Sequence, residues 1–283
     1  MYQLRAPAPE LARFIEHYWF VTHEPSQPVE LKVDVFVDGR ADLIFNFGAP
    51  YVRQVLGGAT REIARSNLDA QRLVPIRILQ RGEVRTTGVR FRLGGLGPFV
   101  RQSLRALTNT TEAPEEVFGA EAGALEEALR HSQEIDPQAR LLDDFFRARK
   151  RIDASFEAFS RALSVSIDSH GAASLADLAR GADSSARQVE RLFARHVGIP
   201  PKTLGRVLRF QHALRALMRD PGCALADVAA SAGYFDQAHF IKDFRRLSGG
   251  VPRGYRGYFP PEGPADFAPN VVVFLQDGAP SLG

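Results

Sequence analysis

The 283 residues predict an α+β chain: a β-rich N-terminal domain (a small barrel or sandwich with helices), a helical linker, and an all-α C-terminal domain. Three observations predict it. Alternating apolar residues with turn signals fill the first hundred positions, and helical periodicity takes over from Leu96. The last third contains an internal repeat, in which Leu175-Ala176-Asp177-Leu178-Ala179 returns fifty residues later as Leu225-Ala226-Asp227-Val228-Ala229.

Taken in order, a short helix is expected from Pro9 to about Tyr18. Lys32 to Val37 and Asp42 to Phe47 have strand character and flank Asp38-Gly39, a strong hairpin signal. Within it, a turn carrying a solvated Arg40 is favoured over a ligand contact. Val52 to Leu56 and Val84 to Leu93 read as further strands, with Arg90 and Arg92 placed on a surface face beside Phe91. Phe99, Leu104 and Leu107 suggest a helix, and Leu125, Leu129, Leu141, Phe145, Phe156 and Phe159 mark its successors. The Pro-rich stretch from Pro260 to Pro269 precedes a strand-like Val271 to Leu275, expected to fold back because such a segment is an aggregation hazard when exposed. The expected divisions are residues 1–122 for the β-rich sensor or dimerisation domain, 123–163 for the helical linker, 164–259 for the double helix pair, and 260–283 for the tail.

Each copy of the repeat continues through a turn into a second amphipathic helix. Past the turn the offset becomes fifty-one, so that Phe193 matches Phe244, Gly198 matches Gly249 and Pro201 matches Pro252. Helix, tight turn and helix is the layout that sets a second helix into the DNA major groove. In the first copy Val189, Leu192, Phe193 and Val197 form an apolar stripe, while Arg187, Arg191 and Arg195 recur every four residues on the opposite face. Gln188 lies beside them. In the second copy Phe240, Phe244 and Leu247 form the stripe, and Gln237, Ala238, His239, Lys242, Arg245 and Arg246 are the outward candidates. Arginine bonds guanine or phosphate with its planar fork, glutamine bonds adenine, and alanine meets a thymine methyl. Two unlike short words are therefore expected as the target. Between the copies Pro201 opens a helix to about Met218, a rod of about 27 Å against a helical repeat of about 34 Å. Arg206 and Arg209 on this rod are candidates for phosphate positioning.

Charge follows the same division. Residues 165–260 hold 14 basic and 8 acidic side chains, against 22 and 25 in the remainder. A basic segment coinciding with the repeat is the footprint of a nucleic-acid-binding domain. Chemistry of other kinds finds little support. Cys223 is the lone cysteine, so neither a disulfide nor a multi-cysteine zinc site can form within the chain. His17, His23, His131, His170, His196, His212 and His239 lack metal-ligand spacing. No catalytic residue, metal or cofactor is assigned, and an enzyme is not expected.

The stretch from Ser174 to about Tyr258 resembles the DNA-binding domain of the AraC/XylS family of bacterial transcription regulators. The resemblance is carried by Gly198-Ile199-Pro200-Pro201, Arg209-Phe210, the run Gly233-Tyr234-Phe235-Asp236-Gln237-Ala238-His239-Phe240, Phe244-Arg245, and Val251-Pro252-Arg253-Gly254-Tyr255-Arg256. It implies base contacts at Arg187, Arg191, Gln237, Ala238 and Lys242. Two departures are Pro200 in place of the commoner serine, and Ala238, which offers no polar contact. The N-terminal part resembles an uncharacterised domain attached to such regulators, through Tyr18-Trp19, Asp38-Gly39-Arg40-Ala41-Asp42-Leu43, Gly88-Val89-Arg90-Phe91 and Gly94-Gly95-Leu96.

The expected partner is double-stranded DNA. A small-molecule effector of unknown identity, RNA polymerase and a second copy of the chain are further candidates; a membrane is not. The N-terminus lacks a signal-peptide core and no apolar run nears the ~20 residues of a membrane span, so a cytoplasmic location is expected. The rival reading is a ligand-binding or interaction protein whose helix pairs have lost DNA contact.

Overall fold

The computed structural model describes residues 2–23, 30–56, 58, 60–62, 66–220, 222–256 and 271–272. Eleven strands are described in two antiparallel sheets. They are β1 (Tyr2–Arg5), β2 (Ile15–His23), β3 (Glu30–Val35), β4 (Asp42–Asn46), β5 (Tyr51–Val55), β6 (Thr60–Glu62), β7 (Asn67–Asp69), β8 (Ile76–Arg81), β9 (Val84–Phe91), β10 (Thr111–Glu112) and β11 (Val271–Val272). The first sheet runs β1-β2-β9-β4-β7-β10 and the second β11-β3-β8-β5-β6. β9 sits between β2 and β4, and in its register Trp19 lies opposite Gly88. A Cβ on Gly88 would collide with the indole, so the glycine lets the ring lie flat across the strand.

The sheets are tied together by polar groups rather than by apolar packing alone. The Arg53 guanidinium of β5 bonds the Asp69 carboxylate of β7, and Asn67 donates to the Tyr51 hydroxyl at 2.5 Å. Arg53 is 4% exposed, and Asp69 and Thr111 meet its buried guanidinium.

Three expectations are corrected here. Residues 9–14 form successive turns, with Phe14 and Ile15 both bonding back to Leu11, and Tyr18 already belongs to β2. Pairing of β2 with both β1 and β9 takes the chain that a helix from Pro9 to Tyr18 would need. The strands flanking Asp38-Gly39 exist but lie in different sheets, so the connection is a crossing loop and not a hairpin. Burial also overrides the surface placement of Arg90. It is 2% exposed and bonds both Asp38 and Asp42, with Arg40 beside them pairing Glu16 at 3.2 Å.

After β9 the chain makes two short 3-10 turns, Gly97–Phe99 and Leu104–Leu107, where Pro98 and the buried Phe99, Leu104 and Leu107 hold it down. The helices are α1 (Pro114–Phe118), α2 (Ala120–His131), α3 (Ile135–Arg149), α4 (Ala154–Asp168), α5 (Leu175–Gly181), α6 (Ala186–His196), α7 (Pro201–Arg219), α8 (Leu225–Ser231) and α9 (Gln237–Ser248). α3 packs on the first sheet, where Phe146 meets Phe91 and Phe99 at 5.5 and 4.9 Å and Asp143 accepts from the Tyr18 hydroxyl. α4 instead packs on α5 and α6, with Phe159 5.3 Å from Phe193. The expected return of the tail is seen at β11, which pairs antiparallel with β3. Val273 to Leu275 and the Pro-rich stretch before β11 lie outside the described residues.

Candidate nucleic-acid interface

The two helix pairs are built alike. In the first, Ser174 caps α5 in a capping box with Asp177, and the Ser185 hydroxyl accepts from the Gln188 amide to start α6. The turn between them brings the Ser184 amide to the Ala179 carbonyl at 3.0 Å. In the second, the Tyr234 amide reaches the Ala229 carbonyl at 2.9 Å, and Asp236 caps α9 through the His239 amide. Both turns pass through left-handed backbone, at Asp183 (φ 51°) and Gly233 (φ 72°).

On α6 the side chains of Val189, Leu192, Phe193 and His196 are buried, whereas Arg187, Arg191 and Arg195 are exposed and Gln188 is half-buried. On α9 Phe240, Asp243, Phe244, Leu247 and Ser248 face inward, and Gln237, Ala238, His239, Lys242, Arg245 and Arg246 face out. α7 carries the buried stripe expected of it and spans 19 residues. Its two candidate arginines are less free than the others. Arg206 holds the buried Asp243 of α9 through two bonds, at 2.5 and 3.3 Å, and this pairing keeps its guanidinium charged and raised in pKa. Arg209 is half-buried, 5.8 Å from the centre of the Tyr234 ring. Arg195 pairs with Asp153 at 3.1 Å.

One residue escaped the reading of the sequence. Phe235, the residue before the α9 cap, is 93% exposed, next to Gln237 and Ala238. Periodicity cannot flag a turn residue, and the only signal was the second of two adjacent aromatics inside the Gly233-Tyr234-Phe235-Asp236 turn.

The C-terminal ends of both recognition helices are covered by the N-terminal part. Gly198 follows α6 at φ 71°, and a Cβ there would strike the Gln71 side chain and, at 2.5 Å, the Leu104 carbonyl. Gly249 follows α9 at φ 77°, and a Cβ there would lie 2.5 Å from Leu56. Glycine therefore serves each site twice, for its left-handed backbone and for close approach. Around α6, Ser103 donates to the Ala194 carbonyl at 2.9 Å and Thr108 to Gly198 at 3.0 Å. Beside α9, the Val37 amide bonds the Leu247 carbonyl, Gln211 of α7 donates to the Val37 carbonyl, and Phe36 meets Tyr255 edge-on at 5.1 Å. The crossing loop at Gly39 sits against Leu204 of α7 and Ile199.

His196, in the last turn of α6, is strongly perturbed. Burial, chiefly, and the charge of Arg195 push its imidazole down to about 4. Its Nε2 lies 2.9 Å from the Ser155 hydroxyl, and Phe156 and Phe159 pack on the ring.

Residues 178–258 match a family model described as a helix-turn-helix domain. That match agrees with the paired units and their joining helix, and concerns the C-terminal segment alone. The C-terminal third is a helix-turn-helix domain of the AraC type. Ahead of this AraC-type domain, residues 3–113 match a model described as a domain of unknown function (DUF6597). No curated protein matches the chain. Among solved structures, ToxT from Vibrio cholerae is similar over 84% of this chain and 97% of its own, at 10% identity and a TM-score of 0.45. An AraC-type regulator from Chromobacterium violaceum is similar over 36% of this chain and 91% of its own, at 25% identity and a TM-score of 0.34. A probable AraC family regulator from Rhodopseudomonas palustris covers 35% and 94%, at 22% identity and 0.32. Among the described residues no helix is long and apolar enough to cross a membrane.

Proposed function

We propose that this chain is a transcription regulator that reads two adjacent major-groove segments with α6 and α9. One observation carries the reading: the glycine ending each helix packs against the N-terminal part, while the outward side chains of each N-terminal half, the end that meets base edges in this motif, stay exposed. Arg187 and Arg191 read one word, and Gln237, Ala238 and Lys242 the other. Gln188 and His239 flank these words, while Arg195, Arg209, Arg245 and Arg246 meet phosphates. Arg206 is assigned a positioning role, because Asp243 occupies it. At about 1.5 Å per residue, α7 sets the two units about one helical turn of DNA apart.

A small-molecule effector acting through the N-terminal sheets fits this arrangement, since connections leading out of those sheets touch the ends of both reading helices. RNA polymerase and a second copy of the chain complete the proposed partners. Selection from a randomised duplex library tests the reading. Two unlike words about one turn apart, bound with a steep salt dependence, are expected. Affinity indifferent to sequence and salt would leave a ligand-binding protein with vestigial helix pairs.

A further inference from the structure

A cleft of about 370 Å³ opens where the 3-10 turn Gly97–Phe99, the start of α4 and the last turn of α6 meet. Its charged lining is Arg101, Arg151, Asp153 and Arg195, three cations against one carboxylate. Arg101 and Arg151 are exposed, and neither has an ion-pair partner among the described residues. Phe156 and the His196 ring line it as well. We propose that this cleft binds a multiply charged phosphate-type oxyanion, held by Arg101, Arg151 and Arg195.

The chemistry follows from the side chains. Planar guanidinium forks bond phosphate oxygens in pairs, and three arginines line this one cleft. The volume falls in the range of small-ligand sites, about 300–1,000 Å³. Asp153 is the one carboxylate that an anion here would meet. Its carboxylate caps α4 through the Phe156 amide at 2.8 Å and the Ser155 hydroxyl at 2.7 Å, so it stays anchored when Arg195 leaves it. The Arg195–Asp153 pair is solvent-exposed on both sides, and such pairs exchange at little cost. Because Arg195 belongs to α6, an anion in the cleft bears directly on the first recognition helix.

Two sources supply that chemistry. A free polyanion is one. The other is a backbone phosphate of the bound duplex, since Arg195 shares a face with Arg187 and Arg191; only this second source rests on the DNA-binding reading. Calorimetric titration of the full chain with pyrophosphate tests the site, using the wild type and the double variant Arg101→Gln, Arg151→Gln. Both side chains are exposed, and unchanged circular dichroism would confirm that the double variant folds.

Saturable one-to-one binding, weakened about tenfold or more in the double variant, is expected for a free polyanion. Loss of about two from the salt slope of DNA binding in the double variant would assign the site to duplex phosphates instead. Pyrophosphate binding that the double variant leaves intact would overturn the proposal. So would no binding together with an unchanged salt slope.

Discussion

The two helix-turn-helix units share a backbone plan but differ in how they are held and in what they present. The first leans on α4, on the 3-10 turns and on a buried histidine, and shows a row of arginines. The second leans on other supports: the Phe36–Tyr255 edge, the Val37–Leu247 hydrogen bond and the Leu56–Gly249 contact. It shows Gln237, Ala238 and the exposed Phe235, with its one buried carboxylate, Asp243, tied to α7 by Arg206. The difference teaches a division of labour. On the proposed reading, arginine forks read bases in the first unit, while amide bonding and shape read them in the second.

The largest effect is expected from Phe36→Ala, which removes the ring that clasps Tyr255. Burying an aromatic of this kind is worth about 3–5 kcal/mol. Hydrogen exchange should speed up in α8 and α9 and leave α5 and α6 protected. Equal acceleration in both units would show one cooperative body and dissolve the contrast.

Next comes pH, read through His196 of the first unit. His196 is held near 4 when folded, against about 6.5 when unfolded, so folding favours the neutral ring. Its contribution is complete above pH 6.5 and is lost as pH falls through that value toward 4, up to about 3 kcal/mol. Denaturation of the wild type and of His196→Gln between pH 7 and pH 4 checks the sign. The wild type should lose more stability on acidification; parallel curves would mean that His196 does not titrate in this window.

The smallest effect is expected at the turns. Asp183 holds the left-handed position that Gly233 fills in the second unit. Asp183→Gly should raise stability by about 0.5 kcal/mol, because relief of backbone strain slightly exceeds the added chain entropy. A loss above about 1 kcal/mol in urea denaturation would reveal a contact made by the carboxylate.

The helix pairs were legible in the sequence because their apolar stripes, caps and glycines are local signals. Ser185 and Asp236 act within a turn of where they stand, as does the left-handed backbone of Gly198 and Gly249. The N-terminal part was legible only as strands. Asp38-Gly39 carries a hairpin signature, yet its strands part company into two sheets, since Phe36 and Val37 find partners on the C-terminal helices instead. No periodicity encodes a contact between residues 37 and 247. Arg90 misled for a related reason: a charged side chain reads as surface until Asp38 and Asp42 are brought to it by the fold. The outward faces of α6 and α9 were readable residue by residue, but Arg206 needed the position of Asp243, and Phe235 needed its exposure, to be understood.

The central claim is that two helices read two different words. Duplex selection with Arg191→Ala and, separately, with Gln237→Ala tests it most directly. Each variant should relax preference in one word only, about one helical turn from the other, at a cost of about 1–3 kcal/mol. If both variants blur the same positions, or weaken all sequences alike, the two helices are not independent readers and the account fails.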